Sequence, residues 1–533
     1  MTGRRVLLLV LVAAALTFPL GAARKLWVLD EVRYAAVVEE MHETGRWFAP
    51  YLNGEFFDHK PPLYFWLVGG ITALTGGQSE FILYTIAWLL SVACVIATYF
   101  LLRALVPERT AWVGAVVMAS SFLYVISAGI ARMDLMMVTL MVLGLLAFVR
   151  GYTSGRRSLY AWFFVFCALA VMTKGPFGMV LPLVAVLAFL AWEGRLKEAV
   201  SPWFVGGFLI GLGVVGVWFA LLALVEGPHV LHDYIVKQTL GRMADSWAHK
   251  EPFWYYVAYL PLEFLPWVAF VPCGFTLLRR RRPVAFRFIL AVAATNVVVL
   301  SAVSCKLWVY ILPIWPALAV AAAVRLRQAL DDGASKWFKI EATVTGGLVL
   351  ALSIVAQLLF RRVFPAKMGS VLPVCLGLSA LGVLAVVVAW LPALSTGRRR
   401  AVLVGTVLVV TGLAFSRVTA LVLTPAFNDV MSPKAAGELM RQYADDGYVL
   451  ATCGVPVGTY NYYARSRVIR EIKTAADVPR FLAETPRAVV AVRKTTLDEL
   501  HEAPPDVLIR GEHVLEMKTH YLVVKGEGQG RAD

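Results

Sequence analysis

The sequence is short of charge. Only 16% of its 533 residues are Asp, Glu, Lys or Arg, and acids are the scarcer sign, 35 against 50 bases. With 59% hydrophobic residues and a mean hydropathy of +0.71, the chain has too little polar surface to face water on all sides. An ordinary soluble domain is excluded, and the bilayer becomes the solvent for most of it. Cysteine is scarce as well. The six, at 94, 167, 273, 305, 375 and 453, show no paired spacing and fall mostly in apolar stretches, which argues against a disulfide frame or a thiolate metal centre. Internal repeats are absent too, and that speaks against a transporter, whose ionisable groups would also lie nearer mid-bilayer.

What charge there is comes in a pattern. The net +15 is split into small basic clusters between apolar runs, which marks cytoplasmic loops and not a nucleic-acid surface. Thirteen apolar runs lie near residues 6–23, 80–102, 110–127, 134–149, 158–173, 175–192, 203–225, 254–278, 286–303, 307–324, 340–360, 371–391 and 401–424. Each is long enough, or nearly so, to cross at about 1.5 Å per residue. The first run resembles a signal peptide, with a basic start and a small-residue end. A polar island follows it directly, so we read it as an uncleaved first helix.

Arg4/Arg5, Arg103/Arg109, Arg150/Arg156/Arg157, Arg195/Lys197, Arg279 to Arg282, Arg325/Arg327 and Arg398 to Arg400 fall in every second loop. The positive-inside rule makes that side, and the N-terminus, cytoplasmic. Arg361, Arg362 and Lys367 are the one discordant cluster. An odd number of spans puts the C-terminus outside. The expected fold is a polytopic α-helical membrane protein, with about 13 transmembrane helices in residues 1–424. External loops 24–63 and 226–253 belong to that part. Residues 425–533 are expected to form a small periplasmic α/β domain, with helices near 432–447 and 475–484 and strands at YVLATC, RVIREI, AVVAVR, VLEM and YLVV.

The island is Asp30 to Leu63, DEVRYAAVVEEMHETGRWFAPYLNGEFFDHKPPL. Ala35, Val38 and Met41 form a helical apolar stripe after Asp30, Glu31, Arg33 and Tyr34, which suggests an amphipathic helix on the membrane surface. Asn53–Gly54 is a turn signal, and Pro61–Pro62 stiffens the return to the bilayer. Asp30–Glu31 alone could be a solvated helix end. Asp134, after Arg132, opens a span, and a carboxylate there is costly unless paired or functional. Lys174 and Lys306 each stand between two apolar spans; they either snorkel to headgroups or neutralise an anionic substrate. His59 and His249, in two external loops, could complete a divalent-metal site with a carboxylate, zinc being the natural ion, although no close ligand spacing demands it. By the charge rule these features all fall on the external face.

DExRYA after the first helix, NGxxxxxKPPLxxW, Arg-x-Asp at a span start, TKGP, HxxPFWYY with LPW, and SCKLWVYILPIWP occur in that order. Together they resemble the C-class integral-membrane glycosyltransferases of the protein O-mannosyltransferase superfamily, most closely the bacterial 4-amino-4-deoxy-L-arabinose transferases of lipid A. The resemblance implies a C-class glycosyltransferase fold and a bacterial inner-membrane location. It implies transfer of a sugar from a polyprenyl-phosphate carrier to an envelope acceptor, lipid A or a related glycolipid, or alternatively a protein hydroxyl or another envelope glycan. It assigns Asp30 and Asp134, with Glu31 beside the first, to catalysis. Arg33, Tyr34, Lys60, Lys174, Arg242, Lys306 and Tyr310 are assigned to substrate and phosphate, and His59 and His249 to a metal. His59 stands where those transferases carry glutamate, Phe57 where they carry tyrosine, and Tyr84 replaces an arginine. A monomer, membrane lipids and no nucleic acid complete the expected partners.

Overall fold

The computed structural model describes residues 2–18, 24–27, 30–232, 234, 250–363, 368–391, 397–418, 424–499, 507–515 and 518–525. The chain forms two compact units. One comprises Met1–Leu20, Asp58–Tyr64 and Tyr84–Val422; the other comprises Gly21–Phe57, Phe65–Leu83 and Leu423–Asp533.

The first unit is helical. Among the described residues eight helices of the chain are long and apolar enough to cross a membrane, or ten if each of two bent pairs counts as one span. Every apolar run named above has a helix or a bent pair on its described part. The share of each span that is buried sorts core from rim. The spans Trp308–Asp332 and Asp134–Ser154 are 89% and 78% buried, whereas Pro202–Glu226 is 17% buried and turns most of its apolar surface outward. An apolar exterior is stable only in lipid. The chain is accordingly a multi-pass membrane protein.

Two runs that read as straight helices are broken. Glu108–Ala119 and Phe122–Ala128 meet at 67°, and Tyr255–Glu263 meets Val268–Arg281 at 109°. At the first break, Ser120 and Ser121 turn their hydroxyls to the carbonyls of Val116 and Met118. The same hydroxyls accept the indole N–H groups of Trp267 at 2.9 Å and Trp315 at 2.8 Å. Polar groups freed by the break are thereby satisfied inside an apolar core.

The second unit is built around the tail, which is α/β as expected. Strands β3 (Val449–Cys453), β4 (Arg470–Ile472) and β5 (Ala488–Arg493) are parallel; β7 (Lys518–Lys525) adds antiparallel to β5, and β6 (Val507–Leu515) antiparallel to β7, in the order β4-β3-β5-β7-β6. The sequence AVVAVR of β5 is apolar throughout because β5 is central and covered on both faces. Val478, Phe481 and Leu482 of the helix Asp477–Glu484 close the core on one face.

This unit does not begin at residue 425, where the domain boundary was expected. Residues 21–57 and 65–83 group with the tail, and hydrogen bonds show why. The hairpin of β1 (Tyr51–Leu52) and β2 (Glu55–Phe56) turns at Asn53 and Gly54, both with positive φ, 61° and 82°. That is the twisted turn which Asn-Gly favours. Asn53 then accepts from the Ile469 N–H at 2.7 Å and the Asn461 amide at 2.9 Å, and donates to the Ile469 carbonyl. Glu80 accepts from the Tyr463 hydroxyl and from Lys434. The helix Asp30–Thr44 buries Tyr34, Val37 and Glu40 as well as its expected stripe of Ala35, Val38 and Met41. It is therefore packed on most sides within this unit and not two-faced. Glu40 tolerates burial because the Gly54 N–H donates to it.

Candidate active site

The first unit brings an acid and a base together from two helix ends. Asp134 is the first residue of the helix Asp134–Ser154, where the helix dipole favours a carboxylate. Lys174 is the last residue of the next helix, Leu159–Lys174, where it favours a cation. The two helices pack side by side across a short connection. Lys174 Nζ donates to Asp134 Oδ1, and Arg132 Nε lies 3.2 Å from Oδ2. Asp134 is 3% exposed, so two cations are what make its charge tolerable there.

The chain leaves Lys174 through Gly175, at φ 106° and ψ −167°, a conformation that only glycine takes without strain, and Pro176 caps the following helix. This is the TKGP break, and it exposes Lys174 to a cavity of about 120 Å³. Lys174 Nζ also sits 4.2 Å from the centroid of the Tyr310 ring, a cation–π contact. Lys60, His59, Lys174 and Tyr310 all line this cavity, against an apolar wall that includes Met137, Phe177, Leu181 and Leu300. Asp58 Oδ1 lies 3.0 Å from His59 Nδ1. Two ammonium groups over an apolar wall are suited to an anionic head on a hydrophobic tail.

Lys306 is placed differently. It is buried, and its ammonium donates to the carbonyls of Val303 at 2.5 Å and Glu251 at 2.9 Å, so the cavity lining runs through Cys305 and not through Lys306. Arg242 and His249 lie outside the described residues. Among those described, no three His, Cys, Asp or Glu side chains converge on a point where a metal could sit.

The remaining candidates belong to the second unit. Asp30 opens the helix Asp30–Thr44, an acid at a helix start. Glu31 is buried; its Oε2 accepts from Arg24 at 2.7 Å and from the Trp27 N–H at 3.0 Å, which ties down the approach to the helix. The Arg33 guanidinium lies 5.5 Å from the Phe57 ring, and Tyr34 meets Phe65 edge-on at 5.6 Å. Phe57, noted as a departure from the relatives, thus holds an aromatic contact with Arg33.

Tyr234 was missed in the sequence. It lines the cavity and is 6% exposed, packed edge-on to Trp218 and Phe219. Nothing in GPHVLHDY marks one aromatic residue of a long polar loop as part of a cavity. Arg132, quoted only as the neighbour of Asp134, is its second ion-pair partner.

The family model for dolichyl-phosphate-mannose-protein mannosyltransferases matches residues 59–219. The undecaprenyl phosphate-alpha-4-amino-4-deoxy-L-arabinose arabinosyl transferase of Shewanella sediminis is 28% identical over 64% of this chain. The match spans 63% of that relative's own length. Among solved structures, ArnT from Cupriavidus metallidurans bound to undecaprenyl phosphate superposes with a TM-score of 0.77 at 17% identity, covering 100% of this chain and 99% of that one. The oligosaccharyltransferase of Archaeoglobus fulgidus superposes at 0.51 and 14% identity, covering 92% and 68%. The resemblance drawn from the motifs is borne out, and the chain has the fold of these membrane glycosyltransferases.

Proposed function

We propose that the chain is a polyprenyl-phosphate-dependent glycosyltransferase that moves a sugar, 4-amino-4-deoxy-L-arabinose by analogy with its relatives, to a lipid acceptor of the lipid A type. One observation carries this: Lys60 and Lys174 face an apolar-walled cavity, with Lys174 held between Asp134 and the Tyr310 ring. In the transfer, the anomeric carbon–oxygen bond to the carrier phosphate breaks as the acceptor oxygen attacks from the opposite side, with inversion. The two ammonium groups stabilise the charge that develops on the departing phosphate. Asp134 keeps Lys174 charged and aimed. Asp30 orients a hydroxyl acceptor or takes its proton; a phosphate acceptor needs no base.

The same proposal includes thirteen crossings, a cytoplasmic N-terminus, a periplasmic tail domain in the bacterial inner membrane, and a monomer. A divalent ion, zinc for imidazole ligands, would be held by His59 and His249, with Asp58 Oδ1 3.0 Å from His59 Nδ1. When bound, such an ion supplies positive charge to the carrier phosphate. A second reading, transfer to a protein hydroxyl, is favoured by the mannosyltransferase model over residues 59–219.

Envelope lipids and glycoproteins from a strain lacking the gene, compared by mass spectrometry with the parent, separate these readings. Loss of an aminopentose from lipid A supports the first. Loss of a protein glycan with unchanged lipid A supports the second.

A further inference from the structure

Two arginine clusters far apart in sequence, Arg279 to Arg282 and Arg398 to Arg400, are folded onto one surface of the first unit. The connection Asp331–Asp332–Gly333 joins them. Arg281 Nη2 lies 3.3 Å from Asp332 Oδ2, and the next residue, Gly333, meets Gly397 backbone to backbone. A Cβ on Gly397 would stand 2.9 Å from the Gly333 Cα, so glycine is what lets the helix Gly397–Val418 start against this connection.

The positive charge here is not balanced from within. Asp331 is taken by Arg327 at 2.5 Å and Asp332 by Arg281. Among the described residues no carboxylate pairs with Arg279, Arg280, Arg282 or Arg398, all of them exposed. Arg279 to Arg281 end the helix Val271–Arg281, where the dipole favours cations. Arg398 to Arg400 open a helix, where the dipole opposes them, and no acid stands in that first turn. Three cations at the positive end of a helix call for an anion from outside the chain.

The position of the surface identifies the anion. Helix Pro283–Ala302 starts beside Arg282 and ends where Leu300 and Val303 line the Lys174 cavity; its 20 residues rise about 30 Å. The span Trp308–Asp332 runs from Tyr310 at that cavity back to Asp332. The arginines therefore lie at the membrane face opposite the cavity. Exposed Trp337 and Trp390 mark the interface there, with Lys339 Nζ 5.2 Å from the Trp390 ring. The spans that leave this surface, Lys336–Arg362, Val371–Trp390 and Gly397–Val418, are only 22%, 28% and 33% buried, and they turn apolar sides outward. Cations at headgroup depth beside apolar flanks fit a phosphate that carries acyl chains.

We propose that Arg280, Arg282 and Arg398 form a binding site for the headgroup of an anionic phospholipid, in the leaflet opposite the Lys174 cavity. Sorting of basic loops to one side of a membrane asks for no such convergence and sets no preference among the loops. A site does.

For the test, full-length protein in detergent is titrated with cardiolipin and, separately, with phosphatidylcholine, and bound lipid is counted by native mass spectrometry. The parent should bind cardiolipin about tenfold or more tightly than phosphatidylcholine. Arg280→Gln/Arg282→Gln/Arg398→Gln should lose about tenfold or more of the cardiolipin affinity. Arg150→Gln/Arg156→Gln/Arg157→Gln takes the same charge from another exposed cluster and should keep that affinity. Lysine at positions 280, 282 and 398 should retain most of it, which separates lost charge from a lost fold. Equal loss in the two glutamine triples overturns the site, because the attraction is then diffuse. A parent that binds both lipids alike, or a lysine triple as weak as the glutamine triple, overturns it too. So does inorganic phosphate that binds as tightly as the lipid.

Discussion

Asp134 and Lys174 form a buried ion pair between the first residue of one helix and the last residue of the next. Each stands where its own helix dipole favours its charge, and Arg132 supplies a second cation. The pair is therefore held by two helices as well as by its own attraction. Removing one partner leaves a charge in a desolvated place, which costs on the order of 3 kcal/mol. Lys174→Met should lower the thermal midpoint in detergent more than the double variant Asp134→Asn/Lys174→Met does. A double variant less stable than Lys174→Met would show that the two residues do not act as a pair.

Gly175 has no atom within 4 Å of where a Cβ would stand, so its requirement is conformational only. At φ 106° an alanine costs about 1–3 kcal/mol of strain, and relaxing it would rotate Lys174 away from Tyr310. Gly175→Ala should lose transfer activity while Gly194→Ala, also at a positive φ but away from the cavity lining, retains it. Equal activity in both would separate the TKGP turn from the chemistry.

The second unit carries a pH-sensitive pair. His513 and His520 are register partners on β6 and β7, stacked at 5.5 Å. Each Nδ1 lies 2.9 Å from a backbone carbonyl, Gly511 for one and Lys518 for the other, and the Tyr460 hydroxyl meets His513 Nε2 at 2.9 Å. Burial, with His513, Arg493 and Lys518 nearby, pushes His520 down to about 4. The unfolded chain then binds the proton that the folded chain refuses. Stability is full above about pH 6.5 and is lost as pH falls towards 4, by on the order of 3 kcal/mol. Hydrogen exchange at the β5 and β7 amides should quicken over that window after correction for the intrinsic rate. His520→Leu should flatten the dependence, whereas the same slope in that variant would assign it to other groups.

Metal content offers a separate check on His59. Purified parent protein and the His59→Ala/His249→Ala double variant should differ by one zinc equivalent by elemental analysis. Equal content in the two would remove the metal from the proposal and leave His59 to the cavity wall.

Much of this was legible in the chain. Apolar runs gave helices because a backbone in lipid has to satisfy itself, and Asn53–Gly54 and Thr173–Lys174–Gly175–Pro176 gave turns because few residues can take those dihedrals. Asp134 and Lys174 were readable as costly charges, though not as each other's partner. The breaks near Ser120 and Phe264 were not readable, since hydropathy does not register a kink and the indoles that stabilise one come from residues 267 and 315. The grouping of residues 21–57 with the tail was equally hidden, because it depends on Asn53 finding Asn461 and Ile469 some four hundred residues away.

The central claim is that Lys60 and Lys174 receive the phosphate of a polyprenyl carrier. It is tested most directly by binding undecaprenyl phosphate and, separately, undecaprenol to the parent protein and to Lys60→Gln and Lys174→Gln in nanodiscs. The account predicts that the parent prefers the phosphate, and that each variant loses about tenfold or more of that preference while its binding of the alcohol is unchanged. A parent that binds the two lipids equally, or lysine variants that keep the phosphate preference, would contradict it.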